Sequence, residues 1–133
     1  IGRSDVILMP HIGASSEVAE ENCAVMAAEQ LRDFIENCNI RNSVNFPSLQ
    51  LELVVGCGLA VANENVPKIL TSVLSILADE NINVIDMLNK SRDEIAYNLI
   101  DIEGTPTESM LAQMRALEGV ISVRLIGDCA CDL

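Results

Sequence analysis

Apolar and polar positions along the chain fall into two blocks with different rhythms. In the first, Val6, Ile7, Leu8 and Met9 form an unbroken apolar run, which fits a strand buried on both faces. The run stops at the segment from Pro10 through His11, Ile12 and Gly13 to Ser16. From about Glu17 to Cys38 apolar residues recur at helical spacing, with Ala27, Leu31, Phe34, Ile35 and Cys38 as the expected buried stripe. Ser15 or Ser16 is placed to cap that helix. Glu17, Glu20 and Glu21 put negative charge in its first turn, where the helix dipole favours it. Between Asn39 and Cys57 the period is lost. Asn42, Asn45, Pro47 and Ser48 punctuate this stretch, and Leu49–Val55 can run extended. It reads as a return segment plus linker, with a boundary near Gly56, Cys57 and Gly58.

The second block alternates strand and helix patterns. A short apolar strand, about Leu59–Asn63, enters a polar corner of Asn63, Glu64 and Asn65. Pro67 sits where a helix begins, because its φ is preset and it has no N–H to leave unpaired. Ile69, Leu70, Val73, Leu74 and Leu77 give the helix Val66–Glu80 one apolar face, and Asn81 closes it by tolerating a left-handed turn. Strands follow at about Val84–Lys90 and Ile95–Ile102, joined by a hairpin turn over Ser91–Glu94. Thr105, Pro106 and Glu108 read as N-cap, first helical residue and capping-box acid of a second helix. Met110, Leu111, Met114 and Leu117 are its stripe, and Gly119 ends it. The last strand is about Val120–Ile126. The order β-α-β-β-α-β reads as a ferredoxin-like sandwich, with two helices on one face of an antiparallel sheet.

Composition narrows the chemistry. The chain has 133 residues, half of them hydrophobic, with two Phe, one Tyr and no Trp, so the core is aliphatic. Twenty acidic against 8 basic residues give a formal net charge of −12. That disfavours nucleic acid, whose phosphates call for Lys and Arg, and the strands lack the aromatics on which RNA bases stack. No apolar run approaches the ~20 residues of a membrane-spanning helix. The start, Ile1 to Asp5, shows neither an initiator Met nor a signal-peptide pattern and reads as a chain entered in its middle. Five Cys, an odd count without a small-scaffold spacing, fit the cytoplasm better than a secreted disulfide framework. Cys57, Cys129 and Cys131 come close together if the last strand lies beside the first. Without a fourth ligand they make an incomplete zinc site, and free thiols in a terminal tail are the expected state.

Two places carry candidate chemistry. His11 ends an apolar strand just before a helix, where open α/β sheets hold ligands. A polar loop residue is the plain alternative. Asn63, Asn65 and Asn83 flank the helix-spanning unit and offer donors and acceptors together, which suits an amino-acid zwitterion. Ordinary turn and cap chemistry is the alternative there.

The residues of both blocks resemble one family. Leu59–Pro67, the helix after it and Asn81–Asn89 resemble the start of an ACT domain, the small-molecule-sensing module of amino-acid metabolism. Val6–Ser16, followed by Glu17, Ala19, Glu21 and Asn22, resembles the last strand, loop and helix of the nucleotide-binding domain in 2-hydroxyacid dehydrogenases. Ser43–Pro47 resembles the return segment of those enzymes. The expected architecture is therefore α/β (α+β): a ferredoxin-like βαββαβ ACT domain over 57–133, preceded over 1–56 by the last strand and helix of a Rossmann-type nucleotide-binding domain plus linker. The resemblance implies that His11 is the acid/base that protonates the keto oxygen as hydride arrives. It implies NAD as cofactor of a longer enzyme that oxidises 3-phosphoglycerate at the first step of L-serine synthesis. It also implies that Asn63, Asn65 and Asn83 contact L-serine or a related small amino acid. Asn83 would complete the site of a second subunit across paired edge strands, in a homodimer joined through ACT domains within a tetrameric parent.

The sequence departs from the family at three of these positions. Thr is usual at Met9, His at Asn63 and Gly at Lys68 in the best-known bacterial members. A Gly-rich phosphate loop, an acid for the cofactor ribose, an Arg for the substrate carboxylate and a carboxylate partner for the His are all missing. Gly56 and Gly58 precede a strand rather than a helix and make no such loop. This stretch alone is therefore expected to be inert and to hold neither cofactor nor metal. Two rival readings are a purely structural ACT dimerisation module without effector, and an ACT-bearing dehydrogenase of another 2-hydroxy acid.

Overall fold

A computed structural model describes residues 3–52 and 56–127. Contacts divide the chain into two units, 1–32 and 33–133.

In the first unit the run from Val6 to Met9 forms no strand and is exposed, Ile7 to 87%. A lone extended segment has no neighbour to take its N–H and C=O groups, and the described residues of this unit supply none. Helix α1, Glu17–Asn37, forms as its pattern predicts. Ser16 caps it, accepting from the Ala19 N–H at 3.2 Å. Of the predicted stripe only Cys38, just past the helix end, is buried; Ala27, Leu31, Phe34 and Ile35 are exposed. No residue of α1 is buried, and Leu31 is 58% exposed. Amphipathic spacing creates a face, but only a packed neighbour buries it.

The second unit carries β1 (Cys57–Glu64), α2 (Ile69–Asp79), β2 (Asn83–Arg92), β3 (Ile95–Glu103), α3 (Glu108–Arg115) and β4 (Val120–Gly127). The strands form one antiparallel sheet in the order β2-β3-β1-β4. This is the predicted βαββαβ sandwich, with β2 an edge strand. Leu59, Val61, Ile100, Ile102 and Val123 pack on one face against Val73, Leu77, Met110, Leu111 and Met114 of the two helices. Asn81 takes the left-handed φ of 57° that ends α2, and the Ile82 N–H returns to the Leu77 carbonyl. Two helix starts differ from the pattern. Lys68, not Val66, precedes the first turn of α2, in a left-handed conformation. Helix α3 is capped by Thr107, whose hydroxyl accepts from the Met110 N–H at 3.3 Å. Thr107 is extended, so Pro106 lies before the cap rather than inside the helix.

The opposite face of the sheet is also covered. Cys38, Ile40, Leu49 and Leu51 cluster with Ala60, Ala62, Tyr97, Leu99 and Ile126. The return segment thus lies on the sheet, and Ala60 and Ala62 leave room for it. Its ends are tied by mutual Ile40 and Leu49 backbone bonds of 2.8 and 3.0 Å. The Leu51 N–H also donates to Asn39 Oδ1 at 3.0 Å. From the β2–β3 hairpin, Lys90 donates to the Ser48 carbonyl and Arg92 to that of Ser43. The end of α1 is held as well. Cys38 turns left-handed at φ 56°, Tyr97 donates to its carbonyl at 3.0 Å, and Arg124 donates to the Ile35 carbonyl while lying over Phe34. A cation there meets the negative end of the helix dipole.

Burial pushes the Tyr97 hydroxyl well above its ordinary range, and nearby Cys38 adds to the shift while Arg124 opposes it. Burial also raises the Cys38 thiol. Both groups ionise more easily in the unfolded chain. Their contribution to stability is therefore complete below the unfolded pKa values, about 8.5 for Cys and about 10 for Tyr, and is lost as pH rises above them. The urea midpoint of the second unit is expected to fall steadily from about pH 9 to pH 11. Tyr97→Phe is expected to cost about 1 kcal/mol at neutral pH and to flatten that decline. A midpoint constant across this range would contradict the assignment.

Candidate functional site at the corner between the first strand and second helix

The corner after β1 is built by backbone bonds to two neighbours and by one within itself. The Glu64 N–H donates to the Gly119 carbonyl at 2.8 Å, and the Asn65 N–H to the Glu94 carbonyl at 2.8 Å. The Val66 N–H turns back to the Glu64 carbonyl at 2.9 Å. Asn65 Nδ2 donates to the Asp93 carbonyl at 3.2 Å, so this side chain binds the corner to the β2–β3 hairpin. Lys68 follows at φ 82° and gives α2 no side-chain cap. The first N–H groups of α2 therefore have no capping side chain, at the positive end of an 11-residue helix.

Beside the corner lies an open cavity of about 370 Å³, lined among others by Glu64, Lys68, Ile69, Ser72, Glu118 and Gly119. Gly119 has φ +86°, and a Cβ there would stand 2.5 Å from Ile69 Cδ1. The glycine thus lets the end of α3 close against α2. A carboxylate is favoured by Lys68 and the helix N-terminus, and an ammonium group by Glu64 and Glu118. The cavity offers both signs within one small space, as a zwitterion requires.

The predicted asparagines occupy different positions. Asn63 is 4% exposed. Its Nδ2 donates to the Glu64 carbonyl at 2.6 Å, and its Oδ1 accepts from Asn98 Nδ2 at 2.7 Å. Asn65 is exposed at the corner. Asn83 lies at the far end of the sheet, with Nδ2 3.3 Å from Glu103 Oε2. The ten residues of β2 span roughly 30 Å, so one chain does not bring Asn83 to Asn63 and Asn65. Asn98 and Asn89 were not singled out by sequence reasoning. The available signal was a polar residue at an inward position of a strand otherwise filled by Ile100 and Ile102.

His11 belongs to the first unit, where it is exposed between the apolar run and α1. The residues around it do not fit a dinucleotide. No strand leads into the turn, and a Cβ on Gly13 would meet nothing within 4 Å, so no close backbone approach calls for a glycine there. Among the described residues no cluster of His, Cys, Asp and Glu could hold a metal ion, and no helix is long and apolar enough to cross a membrane. Cys57 is disulfide-bonded, while Cys23 and Cys38 are free thiols. Cys129 and Cys131 lie outside the described residues.

The sheet order and helix placement define the class as a ferredoxin-like βαββαβ module, the architecture expected of an ACT domain. The chain is 34% identical over 124 residues to the D-3-phosphoglycerate dehydrogenase of Escherichia coli strain K12, a match covering 92% of this chain and 30% of that protein. It is 31% identical over 130 residues to D-3-phosphoglycerate dehydrogenase 1 of Saccharomyces cerevisiae, covering 92% of this chain and 27% of the relative. The resemblance to these dehydrogenases is thus borne out, and the chain spans under a third of the length of the curated relatives it matches. Among solved structures, the ACT domain from a GTP pyrophosphokinase of Chlorobium tepidum matches with a TM-score of 0.46 at 15% identity, over 53% of this chain and 95% of that one. No family model matches.

Lys68 holds a backbone conformation that glycine adopts freely and that costs other residues roughly 1–2 kcal/mol. Lys68→Gly is expected to raise stability by about 1 kcal/mol, read as a higher urea midpoint. Gly119→Ala, with its positive φ and its clash with Ile69, is expected to lower stability by roughly 1–3 kcal/mol. Equal midpoints for both variants and the parent would contradict this description of the corner.

Proposed function

We propose that this chain is the C-terminal regulatory part of a D-3-phosphoglycerate dehydrogenase, and that its βαββαβ unit binds L-serine at the β1–α2 corner. The longer enzyme would oxidise 3-phosphoglycerate with NAD in the cytoplasm. Residues 1–56 would belong to its catalytic region, with His11 as proton donor and acceptor at the substrate oxygen. Residues 57–133 would form its ACT domain.

The observation that carries the ligand reading is the corner itself. An uncapped helix start, a lysine and two glutamates surround a cavity sized for a small zwitterion. Edge strand β2 supplies the assembly. Its outer N–H and C=O groups can pair with the same strand of a second copy. A two-fold pairing reverses the partner strand and carries Asn83 of the partner subunit toward the corner end. Serine bridging the two copies would restrain their motion, and would act allosterically if it binds the two enzyme states unequally.

One observation favours the rival reading, a dimerisation module without effector. The Asn63 amide is already satisfied inside the fold and needs no ligand. Isothermal titration with L-serine, with D-serine and glycine as controls, separates the two. Saturable L-serine binding is expected, weakened about tenfold or more by Asn65→Ala and by Asn83→Ala. A dimer by sedimentation that gives no heat with any of the three compounds would establish the structural module instead.

A further inference from the structure

Three asparagines form one directional chain of amides across the sheet. Asn89 on β2 is the register partner of Asn98 on β3, and its Nδ2 donates to Asn98 Oδ1. Asn98 Nδ2 donates to Asn63 Oδ1 at 2.7 Å and to the Val61 carbonyl at 3.2 Å. Asn63 Nδ2 ends the chain on the Glu64 carbonyl at 2.6 Å. Both carbonyls can only accept, so they fix which end of each amide faces which neighbour. Asn98 is 1% exposed and Asn63 4%. At such depth a misdirected amide would leave donors and acceptors unpaired.

We propose that Asn98 is a positioning residue for the corner, acting through Asn63, with Asn89 extending the chain to the edge strand. The Glu64 carbonyl is the receiving end, and it also accepts from the Val66 N–H. The peptide between Glu64 and Asn65 is therefore clamped from beneath by Asn63 and from ahead by Val66. That peptide sets where Asn65 and the start of α2 point. Asn63 thus serves the site from inside rather than by touching the ligand. The edge strand, where a second copy would pair, and the corner, where a ligand would sit, are joined by three side chains.

The inference rests on the ligand reading above for its functional consequence but not for its structural one, and the test separates them. Asn98→Leu keeps the volume and removes the donor, and Asn63→Ala removes its receiver. In the unliganded full chain, amide hydrogen exchange and the NMR shifts of Val66 and the Asn63 side chain report the clamp. Asn98→Leu is expected to speed Val66 exchange about tenfold or more while the amides of α3 keep their protection. In titrations with L-serine, Asn98→Leu is expected to weaken binding about tenfold and to add little on the Asn63→Ala background. Parent protein that binds no L-serine would end the ligand reading, yet the Val66 measurement would still decide the clamp. An Asn98→Leu protein with a lower melting temperature but unchanged Val66 exchange would overturn the proposal. So would independent, additive losses in the two variants. Should Asn98→Leu fail to fold, Asn89→Leu at the exposed end of the chain carries the same test, with a smaller expected change in the same direction.

Discussion

Strand β1 is hydrogen-bonded along both edges, to β3 and β4, and every residue from Cys57 to Asn63 is buried. The rest of the second unit follows from that constraint. Burial on both sides requires cover on both sides. Helices α2 and α3 supply one layer, and the segment from Cys38 to Leu51 supplies the other. Alternation then decides what each layer meets. Leu59 and Val61 face the helices, while Ala60 and Ala62 present a shallow surface on which a strand-like segment can lie. Where β1 leaves the sheet it must turn within a few residues into α2. The corner is fastened at that turn by bonds to the hairpin and to Gly119.

This arrangement joins three features that the sequence presents separately. The return segment is latched to the β2–β3 hairpin by Lys90 and Arg92. The hairpin is latched to the corner by Asn65. The corner opens on the cavity beside α2. A ligand that changed the corner would thus act on a hairpin already bonded to the segment connecting α1 with the sheet. These contacts identify the elements whose two arrangements a ligand would have to distinguish.

Much of the second unit was legible in the sequence because its signals are local. Helix α2 announces itself through apolar spacing and the left-handed tolerance of Asn81, and α3 through the threonines and the stop at Gly119. The βαββαβ order follows from those elements. What escaped notice depends on distant partners. The run from Val6 to Met9 reads as a strand, but a strand exists only beside another. The stripe of α1 reads as buried, but burial requires something to pack on. The residues from Asn39 to Glu52 read as linker because they lack a period, and their place on the sheet is set by the small side chains opposite. At the site, Asn65 and Pro67 mark a corner in any reading. The role of Asn98 appears only when register places it between Asn63 and Asn89.

The central claim is that the β1–α2 corner receives a small amino acid between two copies of this chain. A crystal structure grown with L-serine tests it most directly. The account predicts serine at the corner, its carboxylate toward the start of α2, with Asn65 of one copy and Asn83 of the other within hydrogen-bonding distance across paired β2 strands. Serine bound elsewhere, or copies joined through β4 with Asn83 facing solvent, would contradict it.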